Sequence, residues 1–176
     1  MRPKQPALFP LLACIGITLV FIIFIFPSCS KKGNGAPSNG TITASLNGVP
    51  FASTIAGGVF DTSEEALLMT GYYAIKGTQD STVMWIGFWD TVNVGIPEAF
   101  DGSGIYLVYF DSLGNEWAAI GTNAPPTGTL TITSWDRDID VISGTFTGVT
   151  LYNQGTTTDS LTVTGGKFTC PYAISP

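Results

Sequence analysis

With 176 residues, 13 acidic against 7 basic side chains and no histidine, the chain carries a formal charge of −6 at neutral pH. A net negative protein repels phosphate backbones, so nucleic acid is not an expected partner. The lack of histidine removes Ser-His-Asp and Cys-His nucleophile activation together with the commonest zinc ligand.

At the N-terminus, Arg2 and Lys4 precede an apolar run from Ala7 to Phe26 that ends in Phe26-Pro27-Ser28-Cys29-Ser30-Lys31-Lys32. A basic start, an apolar middle and a small residue before a cysteine resemble a bacterial lipoprotein signal. In signals of that type the cysteine sulfur takes a diacylglyceryl group and the chain is cut before it, which would make Cys29 the lipid-bearing first residue. The rival reading is an uncleaved span, because about 20 residues at ~1.5 Å each cross a bilayer as a helix. Lys31 and Lys32 balance Arg2 and Lys4, so charge does not choose between them. Phe26 and Pro27 depart from the usual residues at those positions, whereas Ser28-Cys29 stands where cleavage requires it and favours the lipoprotein. Either way the rest of the chain is expected outside the cytoplasm, in the cell envelope. A lipid on Cys29 would hold it to a bacterial membrane, with the outer membrane the expected one.

Residues 1–28 thus read as the signal, 29–40 as a tether and 41–176 as one domain. The tether is polar and glycine-rich with no apolar periodicity, and behaves as a flexible spacer. From Thr41 onward three basic residues, Lys76, Arg137 and Lys167, face all thirteen acidic ones. With Cys14 in the signal and Cys29 lipidated, Cys170 has no partner for a disulfide. Its place in an apolar alternation after Phe168 makes it a small buried hydrophobe rather than a reactive thiol.

Taken in order, the predicted elements are strands. Asn47-Gly48 between Thr41–Leu46 and Val49–Ser53 is a hairpin signal, because a type I′ turn needs positive φ at both central residues. Thr62-Ser63-Glu64-Glu65 has capping-box spacing and is the one place a short helix is conceivable. Strands are expected at Leu67–Ile75, Thr82–Trp89 and Ile105–Phe110. A turn at Asp111–Asn115 leads to Glu116–Gly121. Alternation is plain in Thr129–Trp135, Val141–Phe146 and Ser160–Thr164. The apolar phase changes by one residue around Gly148, as at a β-bulge, which would let a long strand bend from one sheet to another. Gly165-Gly166 marks a second shift. The expected fold is all-β: a single antiparallel β-sandwich or barrel-like domain.

The segments Ala44-Ser45-Leu46-Asn47-Gly48-Val49-Pro50-Phe51, Leu130-Thr131-Ile132-Thr133-Ser134-Trp135-Asp136, Ile142-Ser143-Gly144-Thr145-Phe146 and Val163-Thr164-Gly165-Gly166-Lys167-Phe168 carry a resemblance. Together they look like an uncharacterised family of small β-rich Bacteroidota lipoproteins, of which Ser28-Cys29-Ser30-Lys31-Lys32 is also typical. The resemblance covers residues 41–176 and implies fold and localisation. It brings no activity and no site residue.

Chemistry is sparse. Lys76 and Lys167 lie in no serine–lysine motif, and no glycine-rich loop joins a strand to a helix, so no nucleotide cofactor is expected. Asp136-Arg137-Asp138-Ile139-Asp140 resembles the start of a calcium loop. Val141 then stands where a glycine is wanted and Thr147 where a bidentate glutamate is wanted, so a solvated hairpin tip is the better reading and no metal is expected. Glu98 and Asp101 could flank a glycosidic bond if folding set them roughly 5–10 Å apart. Any acidic β-protein offers such pairs, and an enzyme is not expected.

Aromatic residues supply the positive hint. In Thr82–Trp89, Val83, Trp85 and Trp89 point one way and Met84, Ile86 and Phe88 the other, so both faces of the strand are apolar. A sandwich strand needs one apolar face; the second is covered, lines a cavity or meets a partner. Trp85 and Trp89 lie about 13 Å apart along a strand, a span on which sugar rings or a lipid tail could stack. The expectation is a membrane-anchored, non-catalytic ligand- or glycan-binding module with Trp85 and Trp89 at its site. The alternative is a structural component of the envelope that binds other proteins.

Overall fold

The computed structural model describes residues 39–74, 81–100, 104–119, 127–155 and 159–175. The signal, Cys29, nearly all of the tether, Lys76 and Asp101 lie outside them. Twelve strands and no helix make up the described residues. The all-β expectation holds, as one large, mostly antiparallel sheet.

The hairpin of β1 (Thr41–Leu46) and β2 (Val49–Ala52) turns at Asn47-Gly48, with φ of 49° and 85°. Both angles are positive, as the type I′ turn demands. The Asn47 side chain also accepts the Thr162 amide at 2.8 Å, which ties this turn to the last strand. Next come β3 (Ile55–Asp61), β4 (Ala66–Ala74), β5 (Ser81–Trp89), β6 (Pro97–Ala99), β7 (Ile105–Phe110) and β8 (Glu116–Ala118). Of these, β3, β4, β5, β7 and β8 pair as an antiparallel meander, while β6 leaves to pair with β9 (Thr129–Asp136). The sequence reading had missed β3, whose paired glycines break the alternation, and β6, which is only three residues long.

At Thr62–Glu65 there is a turn and no helix. The Asp61 carboxylate takes the Ser63 amide at 2.8 Å, the Ser63 hydroxyl at 2.6 Å and the Glu64 amide at 3.3 Å. An aspartate satisfying the next amides favours a turn over a capped helix.

The end of the chain organises the sheet. After β10 (Val141–Thr147) and β11 (Val149–Asn153), residues Ser160–Ser175 form one 16-residue strand, β12. It continues well past the expected Ser160–Thr164. Its start pairs with β11, its middle lies between β1 and β10, and its end runs parallel to β3. Pairing thus passes from the end of β12 through β3, β4, β5, β7 and β8 to β11, which rejoins the start of β12. The two attachments lie at opposite ends of a long strand, and the sheet is not a closed barrel.

The bends fall where the apolar phase slips. Gly148, at φ 70°, separates β10 from β11, and the partner of the chain changes there from β9 to β8. Ile142, Phe146, Val149 and Leu151 are all essentially buried, so the one-residue slip keeps the apolar side inward through the bend. Gly165, at φ 59°, accompanies the matching irregularity in β12 against β1. The core contains Ile42, Leu67, Met69, Met84, Ile86, Leu107, Leu130 and Ile132, each at most 1% exposed. Full burial of such side chains contributes about 1.5–3 kcal/mol apiece.

Candidate functional site

Strand β5 sets up the site because its two faces differ in fate. Met84, Ile86 and Phe88 are 0–1% exposed and belong to the core. Val83, Trp85, Gly87 and Trp89 point outward. Register places Tyr72, Thr70, Leu68 and Ala66 of β4 opposite these four on one side. On the other side, Phe110, Val108 and Tyr106 of β7 face Val83, Trp85 and Gly87. The outer surface of the meander is therefore apolar across several strands, with Ile55, Val59, Leu68 and Tyr72 each more than a third exposed.

Gly87 interrupts the row of large side chains on β5, and Tyr106 fills the gap. A Cβ on Gly87 would come within 2.1 Å of Tyr106 Cζ and 2.3 Å of its hydroxyl oxygen, so the hydroxyl end of that ring lies over the glycine. Burial pushes the Tyr106 hydroxyl above its ordinary pKa, keeping it a neutral phenol. Trp85 meets Phe110 edge to face at 4.8 Å. Along the outer face of β5 the order becomes Trp85, the Tyr106 ring over Gly87, then Trp89, a strip of aromatic residues.

Trp89, 40% exposed, ends that strip where two hollows meet. One, of about 330 Å³, has Val59, Leu68 and Tyr106 among its walls and the acidic Asp61 and Glu64 beside them. The other, of about 250 Å³, is formed with Thr91, Val92, Glu98 and Ile105. Trp89 and Gly104 belong to both. A Cβ on Gly104 would lie 2.9 Å from Trp89 Cδ1, so the absent side chain is what lets the start of β7 approach the indole.

The residues around Trp89 are firmly placed. The Asp90 amide bonds to the Glu65 carbonyl at 2.6 Å, and the Asp90 carboxylate pairs with Arg137. Arg137 lies over the Trp135 ring at 4.4 Å, while Trp135 donates its Nε1 hydrogen to the Tyr172 hydroxyl at 3.1 Å. Phe60 and Phe88 meet Trp135 edge-on at 6.0 and 5.9 Å. This corner joins β3, β5, β9 and β12 behind the site.

Of the residues singled out from sequence, Trp89 lines both hollows, Glu98 lines one and Trp85 lines neither. Asp136–Asp140 forms the tip between β9 and β10, where the Asp136 carboxylate accepts the Asp138 and Ile139 amides at 3.0 and 3.3 Å. Among the described residues no group of three or more acidic or cysteine side chains could hold a metal ion. Cys170 is fully buried, and burial pushes its thiol up to about 12. Comparison with protein-family models, with curated proteins and with solved structures finds no match.

Sequence reasoning missed Asp61 and Glu64. Asp61-Thr62-Ser63 carries an Asx-turn signal that would have placed its carboxylate, but Glu64 reaches the site only through the turn at Thr62–Glu65. Hydrogen bonds from Ser63, first from its hydroxyl and then its amide, hold Asp61 below the ordinary carboxylate value. The site thus offers an aromatic ring bordering two hollows, with carboxyl side chains along it. Such a surface has the chemistry to stack on an apolar ring face and to accept hydrogen bonds from donors at its edge.

Proposed function

We propose that the chain is an exported lipoprotein, tethered to a bacterial envelope membrane through Cys29, whose β-domain is a non-catalytic glycan-binding module with Trp89 at its centre. The observation that carries the binding reading is the partly exposed Trp89 between two hollows bordered by Asp61, Glu64 and Glu98. Carboxylates beside an aromatic ring suit polyhydroxylated rings better than fatty acids, whose own carboxylate they would repel. The Ser28-Cys29 junction supports the anchor, and the resemblance to small Bacteroidota lipoproteins supports the same location.

The test is a titration of tryptophan fluorescence with neutral oligosaccharides, using the full chain in a detergent without a sugar headgroup. A saturable change that vanishes in Trp89→Ala and persists in Trp85→Ala supports the module; no change with any glycan overturns it. Incorporation of a labelled fatty acid that is lost in Cys29→Ser tests the anchor separately, and incorporation unchanged by that substitution overturns it.

A protein-docking role in the envelope is the second reading. It rests on the exposed Ile55, Val59, Leu68 and Tyr72 of the outer sheet face, an apolar surface of the kind that partners cover.

A further inference from the structure

The two hollows are not equivalent, and their arrangement around one indole bears on ligand length and charge. Trp89 and Gly104 are common to both, so a ligand stacked on Trp89 enters each hollow from the same ring. A single sugar over the indole would leave both ends open. Filling both hollows takes more than one ring.

Charge is one-sided. Asp61 and Glu64 line the larger hollow and Glu98 the smaller, and no lysine or arginine is among the described lining residues of either. Arg137, near the end of β5, is paired with Asp90 and covers Trp135, so its charge is already answered. A negatively charged ligand would therefore meet carboxylates in both hollows, and no cation among the described lining residues offsets them. A ligand with ammonium groups would find an acceptor in each hollow.

From this we infer that the site takes an oligosaccharide of at least two or three rings, laid across Trp89, and prefers amino-bearing sugars to neutral ones and neutral ones to uronic acids. The inference rests on the glycan-binding reading above and adds chain length and charge to it. Glu64, in the larger hollow, and Glu98, in the smaller, act as the specificity residues.

The experiment titrates the full chain, in the same detergent, with three ladders of one to four units: glucosamine, N-acetylglucosamine and galacturonate oligomers. Affinity is expected to rise at least tenfold from monomer to trimer. The glucosamine series should be tightest and salt-sensitive, and the galacturonate series weakest. Glu64→Gln and Glu98→Gln should each weaken glucosamine binding by more than they weaken N-acetylglucosamine binding, and so reduce the preference; both carboxylates face solvent-open hollows, so neither change threatens folding. Monomers binding as tightly as trimers, or galacturonate binding best, overturns the inference while leaving a glycan module intact. Silence from all three ladders overturns the parent reading as well.

Discussion

Phe146 and Phe168 stack with centroids 6.5 Å apart and planes 29° apart, each lying over the glycine directly across from it. Phe146 pairs with Gly166 and Phe168 with Gly144, so two aromatic rings and two glycines make a checkerboard on one face of the β10–β12 ladder. The glycines provide the space that the rings fill. Alanine at Gly166 would meet the Phe146 ring, and alanine at Gly144 would also come within 2.6 Å of the Thr131 carbonyl oxygen. Gly166→Ala is expected to destabilise the fold by about 1–3 kcal/mol, as overpacking does. Gly144→Ala should cost more, because a backbone atom cannot swing aside. Urea denaturation checks both, and a Gly166→Ala, Phe146→Ala pair should be less destabilising than the sum of its singles.

The same device at Gly87 and Tyr106 belongs to the site. Gly87→Ala must lift the Tyr106 ring off β5 and towards the hollow beside Trp89. The expected outcome is a loss of about 1–3 kcal/mol in stability together with altered tryptophan emission. Tyr106→Ala would uncover the glycine and enlarge the hollow instead. Comparing the two variants for stability and for glycan affinity separates loss of packing from a changed ligand surface. If Gly87→Ala leaves both stability and emission unchanged, the ring is not held where the structure places it.

Much of this architecture was legible because local chemistry and global fold agree. Asn47-Gly48 forces its turn whatever surrounds it, and the slip in apolar phase at Gly148 marks the bend because burial must stay on one side of the chain. The 16-residue length of β12 was not legible. A strand shared among β11, β1, β10 and β3 is fixed by pairing between distant segments, and Gly165-Gly166 looks the same in sequence whether the strand ends there or only twists. The site was half legible: alternation gave the outward direction of Trp85 and Trp89, but which of them borders a hollow depends on Gly104, Tyr106 and the β3–β4 turn, none adjacent in sequence. The outward apolar face of β5 gave no indication that Phe110 would occupy Trp85.

Arg137 tests how the corner behind the site is held. It is more than half exposed and makes three contacts at once, the ion pair with Asp90, the stacking over Trp135 and a longer approach to the Phe60 ring at 5.8 Å. A surface ion pair is worth about 0–1 kcal/mol and an exposed cation–π contact about 0.5–1 kcal/mol. Arg137→Ala should thus cost roughly 0.5–2 kcal/mol, and Arg137→Lys should recover only part of it, since an ammonium lacks the planar guanidinium that stacks on the indole. Raising the salt concentration should shrink the ion-pair share and leave the stacking share. A thermal-melt series at low and high salt reads both; an Arg137→Ala effect that vanishes entirely in salt would show that stacking contributes nothing.

Cys170 gives a chemical readout of the core. With no exposed surface and a thiol pushed up to about 12 by burial, it should not react with a water-soluble disulfide reagent at pH 8 in the folded protein. In denaturant it should react at the rate of an ordinary cysteine. Measured in a Cys14→Ser, Cys29→Ser background, native labelling tracks the opening of the β10–β12 ladder, so Gly166→Ala should accelerate it in proportion to lost stability. Rapid labelling of the unmodified fold would contradict the packing around Phe168 and Tyr172.

Asp111 should make stability depend on pH in the acid range. Its carboxylate closes the β7–β8 loop by accepting the Leu113 and Asn115 amides at 2.9 Å, the Asn115 side chain at 2.8 Å and the Trp117 indole at 3.2 Å. Partial burial pulls its pKa upward, but the hydrogen bonds from Asn115, Trp117 and Leu113 outweigh it and the net shift is downward from 3.8. A carboxyl whose folded pKa lies below its unfolded value stabilises the protein fully above the unfolded pKa and loses that contribution as pH falls through the folded one. The contribution is therefore expected to be intact at pH 7 and to fade below about pH 4. Asp111→Asn removes the charge but keeps the shape, and should cost about 0.5–1.5 kcal/mol at pH 7, a value lowered for a loop open to solvent. Denaturation of both proteins between pH 7 and pH 2.5 should bring their stabilities together as the acid limit is approached. A gap that stays constant across that range would mean that the carboxylate's charge plays no part in holding the loop.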